Sequence, residues 1–300
     1  MYSRRDVMKT TLATGLVAAF APADLGNAAG SKLTWKHFPA GQDGFFRAPV
    51  LLSGPNEALL LDGGFSYPDG RALVDAIKAT GKKLSAIYVS QSDPDYYFSL
   101  KPVVEAFPGT KVLAATDTIA AIKGNVEKKL AAWGPQLKEN GPQTLGDIVM
   151  PEAFDGQRLT VDGETVEIVA ADAGLPNRRY LFVPSLNAVF GGVMIFSGVH
   201  VWTADTQAKE QRAAWVATLD KISARMPSLV VAGHMVPGAA TDVSGVEHTK
   251  TYLLAFEEEL AKAADAAALK AAMEARFPGL GMGIALDIGS KVAKGEMKWG

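Results

Sequence analysis

The fold is decided by one stretch of the chain, Ala86-Ile87-Tyr88-Val89-Ser90-Gln91-Ser92-Asp93-Pro94-Asp95-Tyr96-Tyr97-Phe98. Its apolar residues 87–89 predict a short buried strand, and the polar turn that follows holds two carboxylates, an amide and two phenols. Open α/β folds place their binding and catalytic groups in strand-end turns of this kind. This turn is therefore the first candidate for a functional site.

Composition limits the functions that the chain can have. It has 300 residues, 48% of them hydrophobic, which is enough for a core that needs no disulfide or structural metal. A formal net charge of −2 gives no long-range attraction to nucleic acid, so no polynucleotide partner is expected. The chain contains no cysteine, which excludes disulfides, thiolate catalysis and cysteine-ligated metals. Its four histidines are His37, His200, His234 and His248.

The N-terminal residues are typical of an export signal. Arg4 and Arg5 lie in a twin-arginine pattern, and the apolar run at residues 10–21 is too short to span a bilayer. We therefore predict a twin-arginine signal peptide over residues 1–29, a periplasmic or secreted location, and a mature chain that is not held in a membrane. A mobile amphipathic tail is the alternative explanation of the same residues.

From the sequence patterns we expect residues 30–300 to form a single domain of the α/β class, with a helical extension at its C-terminal end. One helix is expected to begin with Asp117 as its cap and to stop or bend at Gly134-Pro135. The predicted strands cover residues 33–38, 48–53, 57–62, 87–89, 111–114, 164–170, 180–183 and 188–190, and the other predicted helices cover 71–80, 101–107, 252–264 and 267–276.

The strand-end turn resembles the metal-binding loop of the metallo-β-lactamase fold superfamily, which reads His-x-His-x-Asp-His. Gln91 and Asp93 stand at the positions of the first two histidines. Asp95 matches the aspartate, and Tyr96 takes the place of the last histidine. The resemblance thus implies a divergent member with a degenerate metal motif.

Two further stretches carry the same resemblance, which runs from about residue 51 to about residue 237. One is a strand that ends in Asp62-Gly63-Gly64, a turn expected to pack beneath the metal loop. The other is the strand and turn that end in Gly233-His234. The fold that the resemblance implies is the metallo-β-lactamase-like αββα sandwich.

The resemblance also implies a set of metal ligands. It consists of Asp93, Asp95, His234 and Asp172, the last of which lies at the turn where the superfamily has a histidine. Such an oxygen-rich set favours one hard or borderline divalent ion, such as Mn, Fe, Mg or Ca, over Zn. Absence of any metal is the alternative, because Gln91 is a poor ligand and no carboxylate stands at Gly191-Gly192, where the superfamily has a bridging ligand.

Asp95, His234 and Tyr96 are the candidate catalytic residues, the first two for acid/base work and the tyrosine as a donor to an oxyanion. An Asp- and Pro-rich surface turn and a structural histidine are the alternatives for the first two, and plain packing at the rim of the site is the alternative for Tyr96.

Other residues near these turns have a weaker pattern. His200 could reach the cleft mouth, and Asp205 could cap the helix after it. Arg178 and Arg179 could bind a substrate carboxylate, although a solvated turn explains them equally well.

Two functions remain open from the sequence. The first is an exported hydrolase of a small ester, lactone or related molecule that uses a reduced, carboxylate-rich metal site. The second is a metal-free protein that binds a small ligand or works by acid/base catalysis alone. The expected partner is in either case a small molecule, and the fold by itself does not choose between the two.

Overall fold

The computed structural model describes residues 31–299. The predicted signal peptide lies outside the described residues, so the structure says nothing of it. None of the helices within residues 31–299 combines the length and the apolar character needed to cross a membrane.

The first half of the chain forms a six-stranded sheet in the order β1-β2-β3-β4-β5-β6. Its first three strands are antiparallel, and β3 to β6 run parallel because a helix connects each to the next. The strands are β1 Thr34–His37, β2 Val50–Ser53, β3 Glu57–Leu61, β4 Lys83–Tyr88, β5 Lys111–Ala114 and β6 Glu152–Ala153, and the connecting helices are α1 Tyr67–Thr80, α2 Leu100–Ala106 and α3 Thr116–Leu137.

The second half forms a five-stranded sheet in the order β12-β10-β9-β8-β7, and β11 and β13 make a parallel pair beside it. Four helices accompany these strands. The elements are β7 Arg158–Val161, β8 Glu164–Ala170, β9 Arg179–Val183, β10 Ala188–Phe190, β11 Phe196–Ser197, α4 Lys209–Ala224, β12 Leu229–Val231, β13 His234–Met235, α5 Ser244–Lys262, α6 Ala266–Arg276 and α7 Gly283–Ala293.

Helix α1 shows how local sequence sets an element that delivers the chain to the candidate site. Ser66 and Asp69 form a reciprocal capping box at its start, and Gly81 ends it at φ 66°. Leu73, Val74 and Ile77 are buried on one face, as the helical spacing of the sequence predicts. The chain then enters β4, whose end leads into the polar turn.

The ends of β3 and β4 are tied together by Asp62. Its Oδ1 accepts the Ser90 backbone N–H at 2.6 Å, and its Oδ2 accepts the Ser90 hydroxyl at 2.8 Å and a guanidinium N–H of Arg47 at 2.5 Å. The predicted packing of the Asp62 turn beneath the polar loop is therefore confirmed. Since all three groups are buried, this network fixes where the loop begins.

The predicted cap of α3 is wrong, whereas its end falls close to the predicted position. Helix α3 ends at Leu137, about two residues after Pro135, as expected where a proline prevents further helical hydrogen bonds. Asp117 does not cap the helix: Ala115 holds the cap position, and the Asp117 carboxylate pairs with Arg179 at 2.8 Å. Helix α7, which the sequence patterns did not predict, closes the described chain.

Candidate functional site

A cavity that opens to solvent lies beside the turn after β4. Its walls are mostly apolar, and five of the lining residues are aromatic: Phe45, Phe65, Trp133, Trp202 and Trp299. Its polar groups belong to four residues: Asp93, Asp95, Lys129 and His234. An aromatic cavity with a few convergent polar groups is the usual form of a small-molecule site.

Two separate turns bring the polar groups together. Asp93 and Asp95 come from the short helical turn Pro94–Tyr96 and the residue before it. His234 begins β13, directly after Gly233. A Cβ on Gly233 would lie 1.7 Å from the carbonyl oxygen of Gly192, so only glycine allows the backbone of this turn to pass so close to the Gly191-Gly192 loop.

His234 is a neutral imidazole with a defined tautomer. Its Nδ1 lies 2.8 Å from the carbonyl oxygen of Phe45, which can only accept, so Nδ1 carries the proton. Its Nε2 accepts the hydroxyl of Tyr96 at 3.1 Å. Burial, together with the positive charge of Arg47, lowers the pKa of His234 to about 3. The ring also stacks on Phe196 at a centroid distance of 4.8 Å, which fixes its plane.

Asp95 is the titratable group best placed for proton transfer. Its Oδ2 lies 3.5 Å from Nε2 of His234, and the side chain lines the cavity. Burial and, second, the negative charge of Asp93 raise the pKa of Asp95 to about 7. A carboxyl group with this pKa can both accept and donate a proton near neutral pH.

Asp93 is held by its neighbours. Its Oδ2 accepts the Gln91 amide N–H at 2.7 Å, and its Oδ1 pairs with the ammonium of Lys129 at 3.3 Å. Burial, together with the negative charge of Asp205, raises the pKa of Asp93 to about 6. Gln91, which stands where the superfamily has a histidine, is thus a hydrogen-bond donor to Asp93.

Tyr96 lies behind the cavity wall and supports His234. Its ring is fully buried, and the guanidinium carbon of Arg47 stands 4.0 Å from the ring centroid. Arg47 also donates to the carbonyl oxygen of Gly233 and to Asp62, so one buried arginine joins both site turns. Arg47 has no local sequence signal, because its partners are far apart along the chain.

The structure does not bring every predicted site residue to the cavity. Asp172 sits at the surface, where its carboxylate pairs with Lys221 at 3.2 Å, so its assignment as a metal ligand is wrong. His200 hydrogen-bonds the Tyr252 hydroxyl at 3.1 Å and does not line the cavity. Arg178 is not part of a solvated turn, because its guanidinium is buried over the ring of Trp215 at 4.9 Å.

Asp205 does not cap α4, whose cap position is held by Ala208. It joins two walls of the cavity: its Oδ2 accepts the indole N–H of Trp202 at 2.7 Å, and its Oδ1 accepts that of Trp299 at 2.8 Å. The two indole rings meet edge to face at 5.3 Å. No sequence pattern pointed to this arrangement, because Trp299 comes from the far end of the described chain.

The residues present do not fit the metal that the resemblance implies. Among residues 31–299, no group of three or more His, Asp or Glu side chains is arranged to hold a metal ion. Both Asp93 oxygens and both His234 nitrogens already have partners, and Lys129 places a fixed positive charge beside the carboxylates. A divalent ion would have to displace these partners and would be repelled by the ammonium.

No protein-family model matches the sequence, and no curated protein matches it. Among solved structures, the chain is similar to the DIM-1 metallo-β-lactamase, with 17% identity, 79% of this chain and 99% of that chain covered, and a TM-score of 0.53. It is similar to VMB-1, with 18% identity, 76% and 95% covered, and a TM-score of 0.54. It is also similar to the metallo-β-lactamase from Pontibacter korlensis, with 15% identity, 77% and 98% covered, and a TM-score of 0.51. The chain therefore has the metallo-β-lactamase fold, and the predicted fold class is confirmed.

Proposed function

We propose that this chain is a hydrolase of a small ester, lactone or related molecule, and that it works by carboxylate acid/base chemistry without a bound metal. The proposal depends on one observation, the environment of Asp95. Asp95 is a buried carboxyl group with a pKa raised to about 7, it lines an aromatic cavity, and it stands beside a neutral histidine.

The proposed reaction uses Asp95 twice. Its carboxylate takes a proton from a water molecule while the water oxygen bonds to the substrate carbonyl carbon. When the tetrahedral intermediate collapses, the bond to the leaving oxygen breaks, and that oxygen takes the proton from Asp95. The products are an acid and an alcohol, or one hydroxy acid from a lactone, and Asp95 returns to its starting state. Well-placed acid/base catalysis typically contributes about 10²- to 10⁴-fold.

In this mechanism His234 and Tyr96 are positioning residues. The pKa of His234, about 3, makes its imidazole a weak base, and both of its nitrogens are engaged. Burial raises the pKa of Tyr96 well above its ordinary value, so the phenol stays protonated and donates to Nε2. Together they present an uncharged surface to Asp95, which supports its high pKa.

A second candidate is a small-ligand binder that performs no reaction. It is favoured by the apolar walls of the cavity and by the engagement of both His234 nitrogens with protein partners. The two candidates predict the same binding site and differ only in turnover, so an assay separates them.

We further propose that the protein acts outside the cytoplasm after export by the twin-arginine route. The support is the Arg4-Arg5 pair and the short apolar run after it. The mature protein would not be held in a membrane, and its small-molecule substrate would reach the cavity outside the cytoplasm.

The test measures the rate at which the protein hydrolyses a set of nitrophenyl esters, with a metal chelator present during purification and assay. We expect turnover by the wild type, a loss of at least about 100-fold in kcat for Asp95→Asn, and no change for Asp172→Asn, which alters a carboxylate outside the cavity. Turnover that appears only when Mn²⁺ or Zn²⁺ is added would overturn the metal-free mechanism. Ligand binding without turnover of any ester would favour the second candidate.

A further inference from the structure

Lys129 brings a fixed positive charge to the polar end of the cavity. It projects from α3, its ammonium pairs with Oδ1 of Asp93 at 3.3 Å, and it stands 5.0 Å from the ring centroid of Trp299. Its side chain is 14% exposed, and it lines the cavity. An ammonium has three N–H donors, and within the described residues Lys129 makes a single hydrogen bond, to Asp93. Donor capacity is therefore left for a ligand.

Charges of both signs surround this ammonium. Asp93 and Asp205 attract it, and the buried guanidinium of Arg178 is a second cation that interacts with the same two carboxylates. Positive and negative groups thus lie close together near the polar end. A ligand with a full charge would meet a like charge nearby, whereas an uncharged ligand would meet none.

The place where an organic cation would bind is already filled. Aromatic faces and a carboxylate are the usual partners of an ammonium ligand. Here the chain's own Lys129 ammonium lies between the Asp93 carboxylate and the Trp299 indole face. An anion, in turn, would reach Lys129 only in competition with Asp93. The remaining free space is bounded by aromatic walls, which suit a flat apolar body.

We propose that Lys129 donates a hydrogen bond to the carbonyl oxygen of the substrate, and that the cavity takes an uncharged molecule with a flat ring body and a carbonyl group at one end. This rests on the proposed function. As the water oxygen bonds to the carbonyl carbon and its proton passes to Asp95, the carbonyl π pair moves to oxygen, and the ammonium stabilises that oxyanion. When the intermediate collapses, this pair forms the double bond again as the leaving oxygen departs.

The experiment measures binding of probes that cannot be hydrolysed. Acetophenone, 1-phenylethylammonium, benzoate and ethylbenzene share one ring body and differ in the polar end. Quenching of tryptophan fluorescence reports binding, because Trp133, Trp202 and Trp299 line the cavity. We expect acetophenone to bind most tightly, and Lys129→Met to weaken it by about tenfold while leaving ethylbenzene unchanged. Lys128→Met, an exposed lysine on the same helix, should match the wild type.

Some variants serve to separate folding from binding. If Lys129→Met does not fold, the double variant Asp93→Asn/Lys129→Met replaces it, because it removes both charges of the pair together. Its affinities for acetophenone and ethylbenzene are then compared with those of the wild type. Equal acetophenone affinity in wild type and the Lys129 variant overturns the proposal. So does tightest binding of 1-phenylethylammonium or benzoate, or no response to acetophenone at its solubility limit. Since none of the probes is hydrolysed, these outcomes are independent of whether Asp95 catalyses ester hydrolysis.

Discussion

Nδ1 of His234 lies 2.8 Å from the carbonyl oxygen of Phe45, and this contact decides the protonation of the ring. Because the carbonyl can only accept, the other nitrogen is left as an acceptor for the Tyr96 hydroxyl. The resemblance seen in the sequence implies that the histidine of the Gly233-His234 turn is a metal ligand. In the structure both nitrogens of His234 have protein partners, and in the proposed function this histidine supports Asp95.

The first prediction concerns the stability of this support. His234→Ala leaves the Phe45 carbonyl and the Tyr96 hydroxyl without partners, and we expect it to lower the free energy of unfolding by about 3 kcal/mol. In His234→Asn, the amide nitrogen can take the place of Nδ1 and donate to Phe45, so about half of that loss is expected. Urea unfolding of the three proteins measures this. Equal losses in both variants would show that the Phe45 contact does not stabilise the fold.

The second prediction follows from the pKa of Asp95, which burial and Asp93 raise from 3.8 to about 7. Between these values the folded protein holds a proton that the unfolded chain has lost, so stability falls as the pH rises through this window. Asp95→Asn removes the effect. We expect the stability of this variant relative to wild type to rise by about 1 kcal/mol per pH unit from pH 4 to pH 7. Denaturant unfolding at several pH values measures it, and Asp172→Asn, at the surface, should show no such trend between pH 5 and pH 7.

The turn after β4 could be predicted because its signals are local. An apolar strand, a glycine turn and a strand-end loop depend on neighbouring residues, and the structure places Asp93, Asp95 and His234 at one cavity. The Asp172 assignment failed for the opposite reason. The assignment required Asp172 to contact residues that are distant in sequence, in place of a missing histidine. In the structure its carboxylate pairs instead with Lys221 of helix α4.

The sequence patterns did not predict which residues form the other walls of the cavity. Lys129 lies off the apolar face of α3, yet Asp93 gives it a partner at the cavity wall. Trp299 reaches Asp205 across 94 residues of sequence, a contact that no periodicity encodes. Such contacts depend on how whole elements pack, so they become visible only in three dimensions.

The third prediction concerns the Asp205 bridge between the two indoles. Asp205→Ala leaves both indole N–H groups without their acceptor, so we expect Trp299 to loosen and tryptophan fluorescence to become more open to acrylamide quenching. Asp205→Asn keeps one acceptor oxygen and should lie between this variant and the wild type. Asp220→Asn, an exposed aspartate paired with Lys250, is the matched control. Quenching by acrylamide that is the same in all four proteins would mean that the bridge does not order the cavity wall.

The fourth prediction concerns export. Arg4 and Arg5 lie outside the described residues, so it rests on sequence alone. Replacing both by lysine keeps the charge but removes the guanidinium pair that the twin-arginine route requires, and we expect the precursor to stay in the cytoplasm. Cell fractionation with immunoblotting measures this, and replacement of Lys9 by arginine is the control. Export of the double variant at the wild-type level would remove the signal assignment.

The last prediction concerns metal binding at the site. Gln91→His restores one superfamily ligand, but Asp93 remains paired with Lys129 and Asp172 remains at the surface. We therefore expect this single variant to bind Zn²⁺ or Mn²⁺ no better than the wild type in calorimetry.

Removing Lys129 as well should change the result. In Gln91→His/Lys129→Ala, the Asp93 carboxylate loses its ammonium partner and stands near Asp95 without the repelling charge, so metal affinity should rise by about tenfold or more over the single variant. The melting temperature should rise on metal addition in the double variant and stay constant in the single one, because a ligand that binds only the folded state stabilises it. Lys128→Ala, in place of Lys129→Ala, is the control. If Gln91→His alone binds metal as tightly as the double variant, the ammonium of Lys129 does not weaken metal binding, and the missing histidine alone limits it.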